Sequence, residues 1–273
     1  MSDKFSAVLS VYDNDNEDHF NIAVKSLLNQ TLQPSEIVIV VDGPVSAGID
    51  KVLQEISSNE IVKIIKLPKN VGRGAARHTA ISATENDLVA IMDADDICVE
   101  DRFEKQVKAM NTSEVDILGG YIEEFRNEPG DLKKTRPVQV SHDKIIQFSK
   151  WKQPVNHVTM MFRKHVYFEI GGYKPYKMLE DFDLFHRLIK HGAKFQNIPE
   201  NLVFVRIPEN YISKRTGARY AREERMILRE MYKSGHINLV QFLFNTLARS
   251  LVRALPYSLV DKIYNNILRK KDG

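Results

Sequence analysis

Nine residues, AIMDADDIC at 90–98, set three carboxylates, Asp93, Asp95 and Asp96, at the end of an apolar run. Side chains one residue apart on a tight turn can converge on a hard cation, and oxygen donors favour Mg²⁺ or Mn²⁺ over zinc. Two carboxylates rarely fill an octahedral shell, so such an ion is normally shared with waters and the phosphate oxygens of a substrate. One Asp would suffice to cap the next helix. Three after a wholly apolar run point instead to a phosphate-bearing ligand. Asp42 closes a second apolar run in VVDGP, where a turn residue before Gly43 and Pro44 is by itself a sufficient account. Tyr12, Asp13, Asp15, Glu17 and Asp18 follow a third run, and the Tyr12 ring is suited to stacking on a base.

Two further stretches carry chemistry. In NVGRGAARHTAI (70–81), Gly72 and Gly74 have the first spacing of a dinucleotide fingerprint, but Arg77 stands where its third small residue belongs and the loop follows the third strand, which excludes a Rossmann cofactor site. What remains is a glycine-rich turn into a helix whose amides, with Arg73 or Arg77, can receive a diphosphate or the edge of a base. In MLEDFDLFHRL, Glu180, Asp181 and Asp183 open a helix; they suit its dipole, and a carboxylate above a cleft is also what a general base needs when the nucleophile is a sugar hydroxyl. No Ser-His-Asp or Cys-His set, zinc spacing or Walker loop is present, and His157, His186 and His191 are too scattered for a metal cluster.

These residues need a frame. Apolar runs at 5–12, 36–42, 60–67 and 87–93 alternate with helical patterns, the signature of βαβ units and a parallel sheet covered on both faces. Ligands of such sheets bind outside the carboxyl ends of the strands, where all these acidic segments fall. After a helix near Glu100 the rhythm changes: VDILGGYIEEF, NEPGD and LKKTRPVQV predict a hairpin, a helix ends at Gly192, and AKFQNI and NLVFVRI predict closing strands. No linker divides the halves. One α/β domain over 1–217 is expected, with a nucleotide half to about 98 and an acceptor half after it, followed by a helical region over 218–273.

The 273 residues are 43% hydrophobic and 27% charged, ordinary for a globular chain with a sizeable core. A net charge of +3 and an acidic presumptive cleft argue against nucleic acid. The single cysteine, Cys98, and the absence of signal-peptide order in 1–30 predict a reducing, cytoplasmic setting.

The ordered set SVYDNDNEDHF, EIVIVVDGP, NVGRGAARHTAI, IMDADDI, NHVTMMFRK with GGY, and LEDFDLFHRL resembles the family 2 glycosyltransferases of GT-A fold over about 5–215. The tail, with RALPYSLVDKIYNNILRK, is similar to that of bacterial enzymes that extend O-antigen, capsule or exopolysaccharide units on a lipid carrier. The resemblance implies inverting transfer of a sugar from a UDP-sugar to a saccharide on a polyprenyl diphosphate, with Mn²⁺ or Mg²⁺. It implies that Tyr12 and Asp13 line the base pocket, that Asp42 contacts uracil or ribose, and that Arg77 holds base or diphosphate. Asp93 would contact ribose or sugar, Asp95 would ligate the metal with Asp96 in support, and Asp181 would be the catalytic base. Glu180 and His157 fall on the sugar and acceptor side, and Lys214 and Arg215 in a loop closing over the diphosphate; Trp151, the lone tryptophan, can stack on a sugar, though such a residue more often packs. The alternatives are a nucleotidyltransferase, which normally shows a Gly-rich basic signature after its first strand where this chain is acidic, and a noncatalytic nucleotide-sugar-binding protein.

In the tail, Val240, Leu243, Phe244, Leu247, Leu251 and Leu255 share one helical face opposite Asn238, Gln241, Asn245, Arg249 and Arg253. Such a stripe either packs on the protein's own core or lies in the plane of an anionic membrane, at the inner face of the cell membrane if the acceptor is lipid-linked.

Overall fold

The computed structural model describes residues 3–208, 217–254 and 270–271. Strands β1 (Ser6–Val11), β2 (Glu36–Val41), β3 (Val62–Lys66) and β4 (Leu88–Ile91) are parallel and lie in the order β3, β2, β1, β4. Alternate residues of a strand point to opposite faces, so each strand feeds two cores. Leu9, Val11, Ile37 and Ile39 pack under α1 (Glu17–Leu28), α2 (Ala47–Ile56) and α4 (Arg102–Thr112). Val8, Val38, Val40 and Ile91 face α3 (Arg73–Ser82), α5 (His142–Ser149), α6 (Lys164–Glu169) and α7 (Glu180–His191). This double cover explains the unbroken apolar runs of β2 and β4. Local signals start and stop the helices: the Asn16 side chain accepts from the amides of Asp18 and His19 at the head of α1, and Gly192, with φ 90°, ends α7 in the left-handed region.

Beyond β4 the sheet continues through β5 (Ile97–Cys98), β6 (Ile117–Phe125), β7 (Lys134–Arg136), β8 (Met161–Arg163) and β9 (Phe195–Arg206), and β10 (Lys270–Lys271) pairs with β7. The predicted hairpin is β6 and β7, paired antiparallel with Ile122 opposite Arg136. Strand β8 lies antiparallel between β4 and β6 and joins the two halves of the sheet. The two predicted closing strands are instead one, β9, parallel to β6. The break suggested by Pro199 is absorbed by a register shift: Gly120 pairs with Ile198 and Tyr121 with Asn201, so Pro199 owes no amide to the ladder. Strand β5, which the sequence does not announce, pairs with β9 through Ile97 and Phe204.

Helices α8 (Ala218–Lys233) and α9 (Leu239–Ala254) follow. Helix α8 closes a third cluster in which Leu179 and Phe182 meet Tyr220, Ile227, Leu228 and Met231. Packing of the α9 stripe on the protein's own core does not occur among the described residues. Asn245 is buried, donating to the Lys150 carbonyl at 3.2 Å, and Arg249 pairs with Glu224 at 2.7 Å. The apolar residues face outward, Val240 being 74% and Leu247 62% exposed. No helix of the described residues is long and apolar enough to cross a membrane.

Candidate active site

The carboxyl ends of β1, β2 and β4 lie side by side, which gathers the 12–15, 42–43 and 93–96 segments at one edge. After β1, the Tyr12 amide donates to Asp15 Oδ2 and the Asp15 amide to the Tyr12 carbonyl, both at 3.0 Å, a tight turn that leaves the Tyr12 ring and Asp13 at the surface. After β2, the Asp42 carboxylate accepts from the amides of Val71 at 2.7 Å and Gly72 at 3.1 Å. Asp42 therefore ties the second strand to the loop that launches α3. A side chain at Gly43 would bring a Cβ within 2.6 Å of the Asn70 nitrogen at φ 90°, so only glycine permits this approach.

Helix α3 delivers Arg77 into the interior, where it bridges the two acidic segments. Its Nη2 donates to Asp93 Oδ1, and its Nη1 to Glu180 Oε1 at 3.1 Å; Arg73, half-exposed, also reaches Glu180 Oε1 at 2.9 Å. Glu180 is buried, and its Oε2 has no hydrogen-bond partner. Burial, followed by Asp181, pushes the Glu180 carboxyl up, with the two arginines acting against the rise. Asp93 moves the other way: although burial raises it, Arg77, His157 and Arg73 together hold it below the ordinary value. Asp181, half-buried beside Glu180, accepts from the Phe182 amide at 2.7 Å. His157 shares a 2.6 Å hydrogen bond with Tyr173; burial and then Arg77 bring it down to about 4, so it is neutral at physiological pH.

The remaining carboxylates lack such partners. Asp95 reaches solvent at the mouth of the cleft, yet desolvation by the surrounding protein and then Asp93 raise its carboxyl. Asp15 rises to about 7, through burial and then the charges of Asp95 and Asp93. Asp96 is buried and turned inward, one oxygen accepting from the Arg206 amide of β9 at 2.8 Å. Burial is the main cause of these rises, and the neighbouring carboxylates Asp93 and Asp95 add to it. Among the described residues no three His, Cys, Asp or Glu side chains are grouped to hold a metal by themselves.

The structure thus brings Arg77, Asp93, Glu180, Asp181, His157 and Tyr173 together, with Asp95 exposed beside them. Trp151 is placed elsewhere, packed edge-on against Phe244 of α9 at 5.8 Å. Lys214 and Arg215 lie outside the described residues. Sequence reasoning missed Tyr173 and Arg206. Tyr173 had a local signal in its position directly after Gly171 and Gly172; Arg206 had none, standing 110 residues from the carboxylate it serves.

The fold is GT-A. Staphylococcus aureus TarS 1–349 in complex with UDP-GlcNAc superposes over 97% of this chain and 76% of that one, with a TM-score of 0.68 at 16% identity. The chain belongs to glycosyl transferase family 2, whose sequence model matches residues 6–171. An uncharacterized glycosyltransferase of Haemophilus influenzae is 36% identical over 98% of this chain and 100% of its own length. The Escherichia coli UDP-Gal:alpha-D-GlcNAc-diphosphoundecaprenol beta-1,3-galactosyltransferase is 31% identical over 99% of both. Family membership sets aside the nucleotidyltransferase alternative, and the protein is a glycosyltransferase.

Proposed function

We propose that this protein is an inverting transferase that moves a sugar from a UDP-sugar to a hydroxyl of a saccharide carried on a polyprenyl diphosphate, at the cytoplasmic face of the membrane. The observation that supports the reading is the bridge Asp93–Arg77–Glu180, which links the sheet-edge carboxylates to the head of α7, where Asp181 follows Glu180. The donor and acceptor classes are supported by the TarS complex with UDP-GlcNAc and by the relative named for a diphosphoundecaprenol-linked acceptor.

In this reading Tyr12 and Asp13 flank the base, Asp42 positions the ribose or uracil end through the 70–72 loop, and Asp93 and Arg77 hold ribose, sugar or diphosphate. Asp95, with Asp96 behind it, would hold Mn²⁺ or Mg²⁺, which supplies positive charge to the diphosphate. Arg73 and Arg77 lie beside the same developing charge, and their electrostatic support grows as the bond to the anomeric carbon breaks. The acceptor oxygen forms the new bond from the opposite face while the nucleoside diphosphate departs with the bonding pair. Asp181 takes the acceptor's proton, its oxygen not engaged by Phe182 being the one offered. The unpaired Glu180 Oε2 is suited to receive a sugar or acceptor hydroxyl. One displacement inverts the anomeric centre, so an α-linked donor gives a β-linked product.

Calorimetric titration of UDP into the protein tests the donor site. Binding with Mn²⁺ that disappears in EDTA supports it; equal affinity in both, or no binding in either, would overturn the metal-dependent UDP site.

A further inference from the structure

We propose that the outward face of α9 is the surface on which this protein lies against an anionic phospholipid bilayer. The inference rests on the reading of a lipid-held acceptor given above and identifies the elements that would meet the lipid. Val240, Leu243, Phe244, Leu247 and Leu251 form a continuous stripe along three turns, each more than half exposed, the least being Leu243 at 56%. An isolated exposed leucine is unremarkable, but five large apolar residues on one stripe are a surface that needs an apolar partner.

Asn245 and Arg249 of α9 do not supply the headgroup contacts, because they are used inside the protein. Arg249 donates to Glu224 at 2.7 Å and to the Trp151 carbonyl at 2.7 Å, and its guanidinium lies over Phe182 at 5.4 Å. The cations flanking the stripe come from a neighbouring element. On one edge, Arg225 of α8 lines the α8–α9 groove with Ser250, which sits one helical turn from Leu247, and Arg222 and Arg229 continue the exposed basic face of α8. On the other edge, Trp151 packs edge-on against Phe244. An apolar strip with the cations of α8 along one edge and an aromatic ring at the other matches the layered chemistry of an anionic lipid surface, in which acyl chains lie beneath phosphates. A second copy of the chain would meet this charge with its own like charge.

The surface is also connected to the acceptor side of the cleft. Arg249 rests on Phe182, the residue that follows the proposed base Asp181 and donates its amide to it. Docking through α9 therefore brings the head of α7 to the membrane, where a polyprenyl-linked hydroxyl would be presented.

The test uses the full chain in flotation with vesicles of phosphatidylcholine, with and without phosphatidylglycerol, alongside UDP titration and light scattering. Flotation with the anionic vesicles is expected. L243Q with L247Q should weaken it more than about tenfold, and R225E with R229E should weaken it roughly fivefold per arginine on anionic vesicles while leaving the neutral ones unchanged. UDP binding should be the same in all three proteins. A full chain that stays in the soluble fraction, whether because residues outside those described cover the stripe or because two copies bury it in a dimer, would overturn the docking surface. So would flotation that survives both double substitutions. Either result with UDP binding intact leaves the donor-site reading standing; loss of metal-dependent UDP binding in the unmodified protein would instead fail that reading.

Discussion

Two acidic runs of nearly the same composition, 93–96 at the tip of β4 and 180–183 at the head of α7, divide their work in parallel. In each, one member bonds to Arg77 (Asp93 and Glu180), one faces the cleft (Asp95 and Asp181), and one is turned inward to hold structure (Asp96 and Asp183). The inward partners differ because the backbones differ. On the helix, Asp183 finds Arg187 four residues on at 2.7 Å, with Lys174 nearby at 3.8 Å. On the loop no such neighbour exists, and Asp96 takes a backbone amide from a strand late in the chain. The charge balance differs as well. The helical run has Arg73, Arg77, Arg187 and Lys174 within ion-pair reach, while in the loop burial raises Asp95 and Asp96, with Asp93 adding to the rise of both and Asp95 to that of Asp96. The comparison teaches that the helical run is met by four cationic side chains, whereas Asp95 and Asp96 form no ion pair among the described residues; the proposed metal attaches to 93–96 and the proposed proton transfer to 180–183.

Substitutions can break this division. Asp181→Asn preserves shape while removing the base, and transfer should fall about 10³-fold with UDP affinity unchanged. Parallel loss of both, measured by product formation and calorimetry, would make Asp181 a structural residue like Asp183. Asp95→Ala should weaken UDP binding in Mn²⁺ about 10²-fold and leave the residual binding insensitive to EDTA. A variant that kept its metal response would move the ion to another carboxylate.

The inward residues should respond in stability. Asp183→Asn leaves the Arg187 guanidinium short of its charge partner and should cost about 2 kcal/mol, read as a lowered denaturation midpoint. A neutral result there, with loss of transfer instead, would place Asp183 in the cleft chemistry. The smallest effect is expected for Asp96→Asn, whose amide oxygen can still accept from the Arg206 amide. Its cost should stay below about 1 kcal/mol, whereas Asp96→Ala orphans that amide and should cost more. Equal destabilisation by the two substitutions would show that the charge of Asp96, rather than its acceptor oxygen, holds β9.

Much of this arrangement is legible in the sequence because apolar runs locate strand ends, and strand ends locate ligands. The four parallel strands, the β6–β7 hairpin and the acidic segments follow from period and punctuation alone. Facing does not. The period of α9 shows that Leu243 and Leu247 share a side with Val240, but whether that side turns in or out depends on Asn245 and Arg249 finding Lys150, Glu224 and Phe182, partners with no sequence proximity. The packing partner of Trp151 is illegible for the same reason, since its contact is with Phe244 of that helix. Strand β9 reads as two because Pro199 interrupts it, and only the register shift against β6 shows how one strand accommodates the ring.

The bond from the Arg206 amide to Asp96, with the β5–β9 pairing beside it, also has a temporal consequence. Contacts of such long sequence separation carry the entropy of closing a long loop before they give anything back. During synthesis, β1 through β4 can associate while the last third of the protein is still in the ribosome, but the DADD turn stays without its backbone anchor until residue 206 has emerged. The proposed donor site is therefore among the last parts of the enzyme to be completed, and a nascent chain stalled before that point would carry the carboxylates of the first half of the sequence without the strand that anchors the 93–96 loop.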